Sequence, residues 1–354
     1  LCAACEQRLV SVPGYAPVDF NYKCDHNIRK SQKELSMSQK MLTDQAFRAP
    51  SSFGREPEMT YSGALSFMRR KYSRDLQGVD IAVSGIPFDA ATSYRPGARF
   101  GPGAIRAAST QLAELLAFPA GIDPFDQLAV VDYGDCSLDY GFPGEVVNQV
   151  EAHARGILEQ GAGMLTFGGD HFITYPLLRA HAERHGPLAL VHFDAHTDSW
   201  EDEEGRLDHG TMFSRALKDG LIDAEHSVQI GIRTHNSNTG GILILDAPWI
   251  HEHGPRVAVE RILERVQGRP AYLTFDVDCL DPAFAPGTGT PVAGGLSSAQ
   301  ALAILRALGS LNFVGADVVE VAPAYDHADI TAIAAATIAH DYLVLMAQKK
   351  ESAR

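Results

Sequence analysis

Three short stretches concentrate side chains able to do chemistry: Gly168-Gly169-Asp170-His171, Asp194-Ala195-His196-Thr197-Asp198 and Asp276-Val277-Asp278. Each follows an apolar run that ends in Phe167, Phe193 or Phe275. In the second and third, polar residues recur at every other position, the period that puts extended-chain side chains on one face. His171, Asp194, His196, Asp198, Asp276 and Asp278 can therefore form one cluster of imidazoles and carboxylates. Carboxylates crowded together without counter-charge are driven toward their protonated forms, and two divalent cations would cancel that charge. Hard oxygens and imidazole with no thiolate suit Mn²⁺ better than structural zinc or an iron–sulfur cluster, while spacing leaves Mg²⁺, Co²⁺ and Zn²⁺ open. Some of the aspartates can bridge two metals roughly 3.5 to 4 Å apart. One aspartate after a strand is more often a turn or cap residue, so the metal reading rests on six such residues at three strand ends. Asp170 and His192 sit beside the cluster and are expected to orient ligands rather than bind metal. Cys279 and His340 are expected to be core residues.

The elements that must position this cluster are legible as short apolar runs alternating with helical patterns. Strands are expected at 81–84, 128–131, 164–167, 188–193, 228–230, 242–245, 272–275 and 313–315, and helices at 145–159, 173–184, 257–266 and 297–308, the last opening on a serine cap. That alternation predicts an α/β fold, a three-layer α/β/α sandwich around a mainly parallel eight-stranded sheet. Ligands of such sheets gather at the carboxyl ends of the strands, where the three motifs lie. Neither a Walker A nor a GxGxxG stretch is present, so a nucleotide cradle has no support.

The charge balance narrows the partners. Asp plus Glu total 44 against 30 for Lys plus Arg, a net charge of -14, which repels phosphate backbones and suits cationic small molecules. The most apolar stretch, 330–347, contains His340 and Asp341, so no bilayer-spanning segment is expected. The five cysteines are an odd number and scattered, and the single CxxC of Cys2 and Cys5 lacks the second pair of a zinc ribbon; a reducing, cytoplasmic location is expected. The chain begins at Leu1, Met37 is a plausible true start, and residues 1–36 are expected to lie upstream of it. Residues 1–60 are expected to form an N-terminal extension and 61–350 the catalytic domain.

Longer motifs around the cluster carry a resemblance. GGDH at 168–171, HFDAHTD at 192–198 and TFDVDCLDPAFAPGTGTP at 274–291 are similar to signatures of the ureohydrolase family. DHGTMF at 208–213, SVQIGIRT at 227–234 and DVVEVAPAYD at 317–326 extend the similarity from about Tyr61 to Gln348. The resemblance implies an α/β/α fold with two Mn²⁺ per subunit. It places His171 and Asp198 on one metal and His196 and Asp278 on the other, with Asp194 and Asp276 bridging. It further implies that His209 shuttles protons, that Glu320 holds a guanidinium group, that Asp198 or His209 protonates the departing amine, and that the chain assembles as a homotrimer or homohexamer.

Substrate choice is expected to reside in the loop from Asp198 to His209. It carries Glu201, Asp202, Glu203, Glu204 and Asp208, and lacks the small hydroxyl and amide residues that, in the arginases it resembles, grip an α-amino acid head. An acidic loop attracts a second cationic group and repels a carboxylate. Agmatine is therefore expected ahead of arginine or 4-guanidinobutyrate, with putrescine and urea as products and a place in polyamine biosynthesis. The alternatives are another ureohydrolase, such as a guanidinobutyrase or an arginase; a non-catalytic polyamine-binding homologue; and a zinc deacylase on a related fold. A non-catalytic homologue would be expected to have lost ligands, and all six are present.

Overall fold

The computed structural model describes residues 43–352 apart from 56, 57 and 204. The segment expected upstream of the true start, with Cys2, Cys5 and Cys24, lies outside the described residues.

Eight strands form one sheet: β1 (Ile81–Ile86), β2 (Val130–Asp135), β3 (Gly163–Gly168), β4 (Ala189–Phe193), β5 (Val228–Ile230), β6 (Leu243–Leu245), β7 (Pro270–Asp276) and β8 (Asn312–Val319). Their order is β2-β1-β3-β8-β7-β4-β5-β6, and every pairing is parallel. Both faces of such a sheet are covered, so its strands read as near-continuous apolar runs; β1 and β4 are buried at every residue. Besides a single turn at Gln45–Arg48, the α-helices among the described residues are α1 (Gly101–Ser109), α2 (Val146–Leu158), α3 (Thr174–His185), α4 (Met212–Lys218), α5 (Ala247–Val266), α6 (Ser298–Arg306) and α7 (Ile330–Ser352).

Alternate strand residues feed two separate cores. Val83, Leu165, Val191 and Leu273 pack with Ile105 of α1, Ile262 of α5, Ile304 of α6 and Leu343 of α7. Ala82, Met164, Leu190 and Tyr272 pack with Val150 of α2, Leu178 of α3 and Phe213 of α4. Two cores separated by one sheet are the expected α/β/α sandwich. At roughly 25 cal/mol per Å² of apolar surface removed from water, these cores supply the main drive to fold.

Local signals explain most boundaries. Ser297 accepts from Gln300 N while the Gln300 side chain reaches back to Ser297 N, a capping box that starts α6 where the serine predicted it. α5 begins ten residues before the expected start, because Asp246 accepts from Trp249 N and opens the helix ahead of a break at Gly254 and Pro255. β2 lies at 130–135 rather than 128–131, since Asp132 is buried there on the Arg106 guanidinium, with contacts of 2.8 and 2.9 Å. Residues 42–354 form one compact unit, and part of the stretch expected as an extension packs into it: Val130 N donates to Ser52 O, Gly54 N to Phe125 O and Tyr72 N to Ala46 O. α7 has the length and apolarity of a bilayer-spanning helix, yet 72% of its most apolar window is buried inside the protein.

Candidate metal centre and substrate cavity

Register delivers the three motifs to one place. Phe167, Val318, Phe275 and Phe193 lie side by side across β3, β8, β7 and β4, the four neighbouring central strands. The chain leaves the sheet at that level on all four, so His171, Glu320, Asp276 with Asp278, and Asp194 with His196 and Asp198 open onto the same edge. Gly168 and Gly169 make room for this: a Cβ on the first would stand 2.5 Å from Val319, and one on the second would overlap the Phe88 carbonyl. The leading acids also cap their own turns. Asp170 accepts from Phe172 N at 3.1 Å, Asp194 from His196 N at 2.6 Å and Asp276 from Asp278 N at 2.7 Å. At Asp276 the cap and cluster roles fall on different oxygens, whereas Asp194 Oδ1 both caps its turn and faces His196 Nδ1, leaving Oδ2 to His171.

All six expected ligands converge. His171 Nδ1 lies 3.0 Å from Asp194 Oδ2, 3.0 Å from Asp198 Oδ2 and 3.3 Å from Asp276 Oδ2. A second group joins it, with His196 Nδ1 3.0 Å from Asp278 Oδ2 and 3.3 Å from Asp194 Oδ1. Asp194 thus gives one oxygen to each group, while Asp276 turns Oδ2 to the first and spends Oδ1 on its cap. Among the described residues, His171, Asp194 and Asp198 with His192, and Asp194 with His196 and Asp278, form the two groups that could hold a metal ion, and Asp276 borders the first through its 3.3 Å approach to His171. His192 is oriented differently, because Gln229 Nε2 donates to its Nδ1 at 3.1 Å and its own Nε2–H donates to Asp194 at 2.7 Å. A protonated Nε2 cannot ligate; it fixes Asp194 instead.

The electrostatics show the strain of this crowding. Burial, then the neighbouring carboxylates, push Asp198, Asp276 and Asp278 up from the ordinary carboxylate range. Asp194 resists its burial because His192, His171 and His196 surround it, and it stays well below that range. Partial burial opposes charge on the half-buried His196, but Asp278 and Asp194 draw it up to about 12. Asp198 and Glu320 sit at φ 49° and 64°, the left-handed region that costs a non-glycine residue about 1–3 kcal/mol and recurs at functional sites.

His209 and Glu320 meet beside the cluster. His209 Nδ1 donates to Glu320 Oε1 at 2.8 Å, and Ser93 N donates to His209 Nε2 at 3.1 Å. Burial lowers the His209 pKa, but the Glu320 carboxylate outweighs it and raises the value to about 9. Glu320 also accepts from His171 N at 2.9 Å, and its Oε2 is buried without a hydrogen-bond partner. A cavity of about 330 Å³ reaches Asp198, Asp276, His196 and His209 from a mouth formed with Trp200 and Glu201, a size suited to a small ligand.

A sequence model of the arginase family matches residues 79–345. The chain belongs to the arginase family. Within this family it is 59% identical over 317 residues to an agmatinase of Chromobacterium violaceum, covering 89% of this chain and 98% of that one. The crystal structure of a hypothetical agmatinase from Burkholderia thailandensis superposes with a TM-score of 0.87 at 64% identity, covering 88% of this chain and 99% of that chain. Proclavaminate amidino hydrolase from Streptomyces clavuligerus does so at 0.78 and 41%, covering 82% and 99%. The arginase-family protein described here is a ureohydrolase-type enzyme.

Three supports of the centre escaped the sequence reading. Behind His171, Nε2 meets Thr274 Oγ1 at 2.8 Å, and Thr274 donates to Asp317 at 2.6 Å; Thr174 and Tyr272 also donate to Asp317. Arg233 grips the carbonyls of Asp278, Gly231, Cys279, Leu280 and Val292 at 2.6 to 3.3 Å, pinning the turn that carries Asp278. Gln229 sets the His192 tautomer. A signal existed for these: Thr274, Asp317 and Gln229 are polar residues inside strands buried on both faces, where a polar group needs a partner.

Proposed function

We propose that the protein hydrolyses the guanidinium group of agmatine, releasing putrescine and urea, at a centre that binds two Mn²⁺. The observation that carries this reading is His171 Nδ1. Its ring partner Nε2 donates to Thr274, so Nδ1 faces three carboxylate oxygens within 3.3 Å and has no hydrogen bond of its own. One proton on Nδ1 could serve one of those oxygens, whereas a cation among them serves all four atoms. The residues therefore fit a metal. His171, Asp194, Asp198 and Asp276 would hold one ion, and His196, Asp278 and Asp194 the second, with Asp276 able to reach between them. Such a pair would lower the pKa of a bound water to about 7.

The remaining chemistry belongs to the chain. Water adds its oxygen to the guanidinium carbon, the bond from that carbon to the chain-bearing nitrogen breaks, and both water protons end on that nitrogen, which departs as an ammonium. Glu320 Oε2, buried and unpartnered, accepts a guanidinium N–H in a charge-assisted contact that low local dielectric strengthens. His209 holds one proton on Nδ1 and can take a second at Nε2, a capacity the adjacent Glu320 enhances. Asp198, lining the cavity, is the other group placed to pass a proton to the departing nitrogen.

Relatives named as agmatinases support agmatine as the substrate, and the place in polyamine biosynthesis follows from its product. A homotrimer or homohexamer in the cytoplasm is the assembly and location this reading adopts, the first on family resemblance and the second on the scattered cysteines. Manganese titration tests the centre: two ions per chain are expected in the wild type and fewer in Asp276→Ala. An Asp276→Ala protein that keeps both ions and full turnover would refute it.

A further inference from the structure

The acidic loop that guards the cavity is not uniformly available to a ligand. Asp202 gives both oxygens to Arg215, at 2.6 to 3.2 Å. Asp208 accepts from Gly210 N at 2.9 Å with one oxygen and pairs with Arg206 at 3.0 Å with the other. These two acids build the loop. Glu203 is exposed and is absent from the cavity wall, whereas Glu201 lines that wall beside Trp200. Among the described residues, Glu201 has no ion-pair or hydrogen-bond partner and so retains its whole acceptor capacity. The remaining carboxylates of the cavity, Asp198 and Asp276, belong to the converging group around His171.

We propose that Glu201 is the specificity-determining residue of this site, the carboxylate that receives the distal ammonium of the substrate, with the Trp200 ring beside it. The inference rests on the agmatine reading and deepens it by naming the group that distinguishes a dication from a guanidine ending in methyl or carboxylate. A cation entering the cavity finds, among the described residues, one carboxylate committed neither to the loop nor to the group around His171, next to an indole whose ring can attract the same ammonium. The contact is made equally in ground and transition states, so it acts through KM. A substrate carboxylate at this position would face Glu201 and be repelled, a discrimination by repulsion as well as attraction.

The test compares agmatine with butylguanidine, which lacks the amine, in wild type and Glu201→Gln, with urea release as the readout. A hydrogen bond to a charged group corresponds to about 10- to 100-fold in affinity. The ratio of kcat/KM for agmatine over butylguanidine should fall by that factor in Glu201→Gln, through a higher KM for agmatine. Glu201→Lys supplies a second arm, in which preference should move toward 4-guanidinobutyrate. A ratio unchanged in Glu201→Gln, or lost equally for both substrates, overturns the assignment while leaving agmatine hydrolysis standing. Wild-type protein that releases no urea from agmatine overturns both readings together.

Discussion

Replacing Thr274 by valine removes one hydroxyl and almost no volume, and so isolates the support behind His171. The hydroxyl accepts from His171 Nε2 at 2.8 Å and donates to Asp317 at 2.6 Å. Valine leaves a buried imidazole N–H without an acceptor and takes one of three side-chain hydroxyl donors from Asp317. An unsatisfied buried donor costs about 1–3 kcal/mol, and loss of a group that orients a metal ligand typically costs about 10–100-fold in metal affinity; the two scales agree, since tenfold is about 1.4 kcal/mol. The assay is calorimetric Mn²⁺ titration of metal-free protein, with urea release measured at limiting and saturating Mn²⁺. Thr274→Val should bind the tighter ion about 10–100-fold more weakly and regain much of its activity when Mn²⁺ is raised, while Thr274→Ser should stay near wild type. A Thr274→Val protein with wild-type Mn²⁺ affinity would refute the idea that Asp317 and Thr274 hold His171 in its ligating tautomer.

Other perturbations follow from the same geometry. His209→Asn should lower kcat about 10²- to 10⁴-fold, the range of a lost acid–base group, with a smaller change in KM; a change confined to KM would remove His209 from proton transfer. Chelation should lower the melting temperature by several degrees, because an ion present at 100 times its dissociation constant stabilises by about 2.7 kcal/mol and here offsets repulsion among Asp194, Asp198, Asp276 and Asp278; an unchanged melting curve would contradict this. Burial holds His153, His181 and His340 down to about 4. At each of these three histidines the unfolded state therefore binds more protons than the folded one between about pH 4 and 6.5, and that residue's contribution to stability, present above the window, is lost as pH falls through it, by roughly 3 kcal/mol per histidine. Denaturant unfolding of His181→Gln across that window should show a slope smaller by one histidine's worth of proton uptake, and an identical slope would refute the assignment.

The strand pattern was legible because a doubly covered sheet demands apolar runs, and each expected run overlaps a strand. The gaps are physical. The apolar pattern predicts β8 over three residues, with Asp317 interrupting it, yet the strand runs to Val319 since Asp317 finds Thr174, Tyr272 and Thr274 as donors. α1 begins Gly101-Pro102-Gly103, a poor helix opening by propensity, and folds through Ile105 in the core. The cluster was readable because its spacing is local to each motif. Its supports were not, since Thr274 and Asp317 become neighbours through β7–β8 pairing, and Ser93 meets His209 across 116 residues. The acidity of the mouth loop was visible too, but only the packed loop shows that Asp202 belongs to Arg215 and leaves Glu201 to the cavity.

Urea release from agmatine, arginine and 4-guanidinobutyrate assayed in parallel, with Mn²⁺-loaded and metal-free protein, tests the central claim most directly. Manganese-dependent urea from agmatine, well ahead of the two carboxylate-bearing substrates, is the expected result. Urea chiefly from arginine or 4-guanidinobutyrate, or turnover that survives removal of the metal, would contradict it.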